Sequence, residues 1–379
     1  MRYRLTCLTP LLVGNGNRLS PIDYMVWKDQ VNVLDQGRIF KLLSRGPRLD
    51  GYLAQIKKAD KLDFASWGGF AQNFADRRIP FEHPSYSAYW NRAAGESLQI
   101  PTFVSRETGP YLPGAALKGA LRTGLFFAQR RDGMLREAAS KAQGETLSPR
   151  TTQGLEEQAL GTPGNDRMRV VGAGDSDPIP HSGMKVYLLR VSTLVSRQQG
   201  SYALAWKQSP RGSVQNPADS TPFFAEMAAP GAAFDGVWQE KTFFQQEEIR
   251  RALGWRHVMD RKRLFDAANR YAAAVIETQK EYASWTGLSR LSQSLGELEA
   301  RLANIGGACL LSMGWGGGLP AKTAWPETTK NEDYQKLLQR VPAYSRALGA
   351  NLPFPKTRRI VFMGDQPAAL PGWALLEVE

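Results

Sequence analysis

Nowhere in this chain does the backbone have less choice than at Gly109-Pro110-Tyr111-Leu112-Pro113-Gly114, which runs directly into the helical pattern Ala115 to Arg131. Two prolines hold φ near its helical or extended value, and the closing glycine permits a turn that a side chain would obstruct. Beyond that turn Leu117, Leu121 and Leu125 recur at i, i+4 and i+8 and predict one buried face. Lys118 and Arg122 make their own i, i+4 pair on the adjoining face, and 115–131 contains Arg130 and Arg131 besides but no acid. A rigid turn that delivers a basic helix start predicts an anion site, where unsatisfied N–H groups and the helix dipole act with the side chains. The alternative is a solvated helix face.

The remaining pattern is of mixed type. Residues 2–13 read as a strand, 22–34 as a hairpin around Lys28-Asp29-Gln30, and 37–43 as a short helix stopped at Gly46. Segments 144–180 and 196–235 are rich in Gly, Ser, Thr, Pro and charge and are expected as long loops, with a strand Met184 to Leu194 between them. Leu264, Ala268, Tyr271, Val275 and Tyr282 then mark one long helix. Leu288, Leu291, Leu295, Leu298, Leu302 and Ile305 mark a second, ended by Gly306. Strands are expected at Ala308 to Ser312, at the end of Pro355 to Phe362, and at Trp373 to Val378. The class is α+β, with a boundary near 195 that gives domains 1–195 and 196–379, each of ordinary size for a single core.

Composition bounds the partners. Lys and Arg total 48 against 36 acids, a net charge of +12 that attracts polyanions without choosing among RNA, DNA and a membrane surface. Cys7 and Cys309 lie in apolar runs and read as reduced thiols, too few for a disulfide framework or a four-thiolate metal site. The amino terminus lacks the apolar core of a secretory signal, and no window is apolar enough for a membrane span. A cytoplasmic protein is expected.

Catalytic constellations are not evident in the order of residues. His83, His181 and His257 are isolated from one another, and the carboxylates Asp23, Asp35, Asp166, Asp175 and Asp177 could hold magnesium in principle. Asp175-Ser176-Asp177 reads as turn-forming. Complete hydrolase-elbow, Walker and Rossmann motifs are absent, so no catalytic residue, metal or cofactor is expected. Gly314-Trp315-Gly316-Gly317-Gly318 has two readings. It is a backbone cradle for phosphates with Lys322 beside it, or a tight turn with Trp315 packed on the domain. Arg250, Arg251, Arg256, Arg261, Lys262 and Arg263, with Asp260 as the one acid among them, fit a nucleic-acid face or an acidic partner subunit equally.

Pro110 to Thr123, which contains Pro-Gly-x-x-Leu-Lys-Gly-x-Leu-Arg, resembles the signature of the repeat-associated (RAMP) superfamily of CRISPR effector proteins. Leu8 to Gly16 with Ser20-Pro21-Ile22-Asp23-Tyr24 is similar to one branch, the fifth subunit of the type III-A, or Csm, interference complex. Gly314 to Gly318 with Lys322-Thr323, and Phe354-Pro355-Lys356-Thr357-Arg358-Arg359, look like that branch's carboxyl-terminal half. The first element marks the superfamily, and the combination, spread over residues 8 to 359, marks the branch.

The resemblance implies two RRM-like (ferredoxin-like) modules with long loop and helical insertions. It implies a non-catalytic crRNA-binding subunit that caps the backbone filament at the crRNA 3′ end and supports 3′-end maturation through host nucleases. Its partners would be crRNA, the repeated backbone RAMP subunit, and the small helical and Cas10-type large subunits, with no membrane and no cofactor. Carried onto this chain, the RNA-contacting residues are Lys118, Gly119, Arg122, Gly314, Gly316, Gly317, Gly318, Lys322, Lys356 and Arg358. An RNP1-like aromatic strand is not evident, so phosphate and 2′-hydroxyl contacts are expected rather than base stacking. The rival within the superfamily is a metal-independent endoribonuclease that processes CRISPR repeat RNA, which needs a base beside the glycine loop.

Overall fold

Two antiparallel sheets divide the core, and each pairs strands that lie far apart in the chain. The computed structural model describes residues 1–58, 60–62, 73–141, 147, 149–197, 201–210, 212–349 and 352–379. Its principal strands are β1 (Arg2–Cys7), β2 (Val171–Ser176), β3 (Met184–Ser196), β4 (Tyr202–Lys207), β5 (Phe223–Ala228), β6 (Ala233–Glu240), β7 (Cys309–Ser312), β8 (Thr357–Met363), β9 (Gln366–Ala369) and β10 (Trp373–Val378). The principal helices are α1 (Gly114–Gln129), α2 (Arg261–Thr286) and α3 (Ser289–Ala303). The class is mixed α and β, as the residue pattern predicts.

The first sheet runs β7-β10-β1-β6-β2. Along β1 the residues alternate between exposed and buried, which sends Tyr3, Leu5 and Cys7 inward against Leu117, Leu121 and Leu125 of α1. The second sheet runs from Ser213–Val214 through β4, β3 and β8 to β9, with β5 paired to the first half of β3. The expected division at 195 falls at the end of β3, and strands from both sides of that position pair in both sheets. The halves of the chain are therefore interleaved.

What unites the two cores is α2. At 26 residues it is about 39 Å long, enough to cross a small domain. Leu264, Phe265 and Ala268 near its start pack with the first sheet, while Tyr271, Val275 and Ile276 pack with Val186, Ile360 and Phe362 of the second. Asp260 caps the start by accepting from the Arg263 N–H at 2.8 Å. Gly287 closes the end in the left-handed region at φ 67°, where its N–H bonds to the Ala283 carbonyl at 2.9 Å. α1 lies so close to α2 that a Cβ on Gly124 would sit 2.8 Å from the Ala268 Cα.

A smaller unit carries the expected hairpin, Tyr24–Trp27 with Gln30–Leu34, joined by Ala75–Pro80 and covered by the helix Gln36–Leu43. Lys28 and Asp29 both have positive φ, 48° and 59°, as the two-residue primed turn requires. Two expectations of long loops are corrected. Segment 144–180 contains the helix Pro149–Leu160 and β2, and segment 196–235 contains β4, β5 and the start of β6. β5 is buried along almost its whole length, so its Phe-Phe-Ala-Glu-Met-Ala run carries no alternation for a pattern search to find. No helix among the described residues is long and apolar enough to cross a membrane.

Candidate nucleic-acid interface

The turn before α1 is built by contact with β2. A Cβ on Gly114 would lie 2.1 Å from the Ala173 carbonyl oxygen, so only glycine lets the helix begin there. The Gly114 N–H donates to Asp175 Oδ1 at 2.9 Å, and the Leu112 N–H donates to Ser176 Oγ at 2.8 Å. Asp175 also pairs with Arg106 at 2.5 Å. The anion at this helix start is thus the chain's own carboxylate, which corrects the expectation of a vacant site for phosphate. Asp175 and Ser176 cap and tie rather than simply turn the chain.

Lys118 and Arg122 share the expected face but not the same freedom. Arg122 is held by two carboxylates, Glu156 through its Nε and Asp166 through Nη1 at 2.5 Å. Burial, and after it the nearby Lys241 ammonium, pushes the Lys118 amine below its ordinary range, while Asp166 opposes them and Arg122 adds to them. Lys118 is half-buried, and Gly119 is exposed with open space around it. Lys241 joins this patch from a turn far along the chain, where no local pattern marks it.

The glycine loop is a packed turn. A Cβ on Gly314, at φ +74°, would meet the Leu12 carbonyl oxygen at 2.4 Å, and the Trp315 N–H donates to that same oxygen at 2.7 Å. Gly316 approaches Pro371 and Gly317 approaches Ala321 as closely, and both glycines are buried. Gly318 stands at φ +74° and is partly exposed. The tight-turn reading accounts for Gly314, Gly316 and Gly317, where a side chain would meet the Leu12 carbonyl, the Pro371 ring or the Ala321 methyl group. Lys322, exposed just beyond, lines a cleft of about 520 Å³ with Arg122, Phe126 and Trp325, so the structure brings the helix and the loop to one place.

Of the terminal basic element, Arg358 is 5% exposed. Its Nε donates to Gln279 Oε1 at 2.5 Å, its Nη1 donates to the carbonyls of Pro355 and Thr357, and its guanidinium lies 4.4 Å from the centre of the Tyr282 ring. Burial lowers its pKa to about 10. This arginine is part of the core, a correction to its expected contact with RNA. Lys356 is half-buried, and its carbonyl accepts from the Leu194 N–H at 2.9 Å. Arg359, which the sequence does not distinguish from its neighbour, reaches the glycine loop instead, 4.8 Å from the Trp315 ring centre.

The arginine cluster at 250–263 separates in the same way. Arg251 pairs with Glu247 at 2.5 Å and Arg261 with Glu240 at 3.3 Å, whereas Arg263 is exposed on α2. Among the histidines, His83 places Nδ1 2.8 Å from Ser85 Oγ, but that hydroxyl donates to Asp365 at 3.0 Å, so the imidazole is not the group it serves. Among the described residues no group of three or more His, Cys, Asp or Glu is arranged to hold a metal ion.

Residues 4–265 match the RAMP superfamily. The chain is 20% identical to a Methanocaldococcus jannaschii protein named CRISPR system Cms protein Csm5, over 98% of this chain and 88% of that one. It is similar in structure to a chain of a cryo-EM structure of a Csm-crRNA-target RNA ternary complex of a type III-A CRISPR-Cas system. That match has a TM-score of 0.69 and 22% identity, and it covers 100% of both chains. It is also similar to the crystal structure of T. onnurineus Csm5, with a TM-score of 0.62, 19% identity, and 98% and 99% of the two chains covered. Both structural likenesses concern the fold.

Proposed function

Because the chain belongs to the RAMP superfamily, we propose that it is a crRNA-binding subunit of a type III-A Csm complex, without catalytic activity of its own. In this reading it caps the repeated RAMP backbone at the crRNA 3′ end, in company with the small helical and Cas10-type subunits, and supports 3′-end maturation by host nucleases. The observation that carries the reading is the likeness over the complete chain to a protein named Csm5 and to a chain from a Csm-crRNA-target RNA complex. The superfamily motif alone would fit a backbone subunit as well.

The architecture assigned with it is a pair of ferredoxin-like modules. Support for one comes from the first sheet, where β1, β2, β6 and β10 numbered in chain order lie 4-1-3-2, with α1 between the first two and α2 between the last two. That is the split β-α-β arrangement. The second sheet, with α3 packed near β9, stands as the other module, and the two are interleaved in sequence.

A second reading, metal-independent cleavage of repeat RNA, draws on His257, which lines a cleft with three arginines. Coexpression with the neighbouring genes, followed by purification and sequencing of the bound RNA, separates the two. Guides with defined 3′ ends, copurifying with a Cas10-type protein and a repeated RAMP protein, are expected. Release of cut repeat RNA by the isolated protein without metal, abolished by His257→Ala, would replace the proposal with the second reading.

A further inference from the structure

Between α1 and α2 lies a cleft of about 460 Å³ whose polar walls are Gln129, Arg167, His257, Arg263, Asp266 and Arg270. Arg263, Asp266 and Arg270 fall at i, i+3 and i+7, on one exposed face of α2. Arg167 Nη1 donates to the Ala159 carbonyl at 2.5 Å and to Gln129 at 3.4 Å, and Arg263 Nη1 donates to the Val258 carbonyl at 2.5 Å. Each of these guanidiniums is oriented by the backbone through one nitrogen, and its other nitrogens have no partner among the described residues. Arg270 has no hydrogen bond or ion pair among those residues, and no ion pair joins Asp266 to any of the three. Three positive charges, two of them held in place by backbone carbonyls, thus face one carboxylate, the reverse of the arrangement around Arg122.

We propose that this cleft binds the sugar-phosphate backbone of single-stranded RNA. The planar guanidinium fork matches phosphate oxygens two at a time, and a half-buried arginine such as Arg167 gains most from an anion that replaces its lost hydration. Gln129 and His257 supply hydrogen-bonding groups of the kind a ribose 2′-hydroxyl uses. Gln129 also continues the stripe of Lys118 and Arg122 along α1, about 16 Å of helix with Lys118 at one end and Gln129, beside Arg167, at the other, the length of several successive nucleotides. The proposal rests on the RNA-binding reading and assigns it a place.

The test measures binding of a short labelled polyuridylate strand by the full chain over a range of salt, and crRNA retention by the purified complex. Arg263→Glu with Arg270→Glu is expected to weaken binding roughly tenfold or more and to flatten log K against log salt by about 1.4, two single-strand phosphate contacts at about 0.7 each. Asp266→Asn is expected to tighten binding. Should the double variant lose stability, Arg270→Gln, at a side chain with no hydrogen bond or ion pair among the described residues, carries the same test at about half the slope change. Wild-type binding with an unchanged slope in the variants overturns the cleft while leaving RNA binding intact. Loss of a protein subunit with RNA retained overturns it in favour of a protein contact. No RNA on the wild-type chain or complex removes the RNA-binding reading, and this inference falls with it.

Discussion

The glycine loop at 314–318 and the cleft between α1 and α2 exchange roles between sequence and structure. In sequence the loop has the marks of a phosphate cradle, and Arg263 is one arginine in an undecided run. In the fold the loop is pressed against Leu12 and Pro371, while Arg263 and Arg270 stand exposed across from Arg167. A glycine says that something approaches the backbone closely, without saying whether that is a ligand or the chain itself. An arginine says that charge is present, without saying whether a carboxylate from elsewhere already meets it.

The largest effect expected on this contrast comes from a cation outside both regions, Arg77. Its guanidinium pairs with Glu226, which is fully buried on β5, with Nη2 3.2 Å from Oε2. Arg77→Met leaves that carboxylate without its partner and is expected to cost about 3–5 kcal/mol at neutral pH, read by chemical denaturation. Burial raises the Glu226 pKa, against the pull of Arg77. Between the ordinary glutamate value and the raised one the folded state holds the extra proton, so stability falls as pH rises through that window and returns on acidification. A variant loss independent of pH would show that Glu226 is not the group left stranded.

Gly314→Ala comes next, at about 2–3 kcal/mol, because a Cβ there meets the Leu12 carbonyl and the residue sits at φ +74°. Thermal unfolding should shift while RNA bound per folded molecule does not. A stable variant that loses RNA would break the comparison and restore the loop as a ligand cradle. Arg358→Ala is expected to cost about 2 kcal/mol, since Gln279 and the Pro355 carbonyl lose a charged donor, again with RNA affinity unchanged. The smallest effect belongs to Lys322→Ala. Stability should stay within about 0.5 kcal/mol, and the salt slope of RNA binding should fall by no more than about 0.7, because this lysine is exposed near Arg122. A larger slope change would move the main RNA contact from the arginine cleft to the cleft that holds Lys322.

Local chemistry made much of the scaffold legible. The leucine stripes of α1 and α3, the Lys28-Asp29 turn, the helix Gln36–Leu43 and the terminal strand Trp373–Val378 each follow from a repeat or a turn preference that acts within a few residues. The superfamily signature was legible for the same reason, since its turn and helix are contiguous. β5 and the helix Pro149–Leu160 were not, because an evenly buried strand has no alternation and a polar helix has little apolar period. The candidate site divides along the same line. Residue order alone determines that Lys118, Arg122, Lys322 and Arg358 are cations beside turns and strand ends. Which of them remains available was decided only when the chain closed. Glu156 and Asp166 were brought to Arg122 across 34 and 44 residues, Gln279 to Arg358 across 79, and Arg167 to Arg263 and Arg270 across a cleft that exists only between packed helices. Charge is a property of the residue, but its compensation and desolvation are set by distant neighbours that only the tertiary structure supplies.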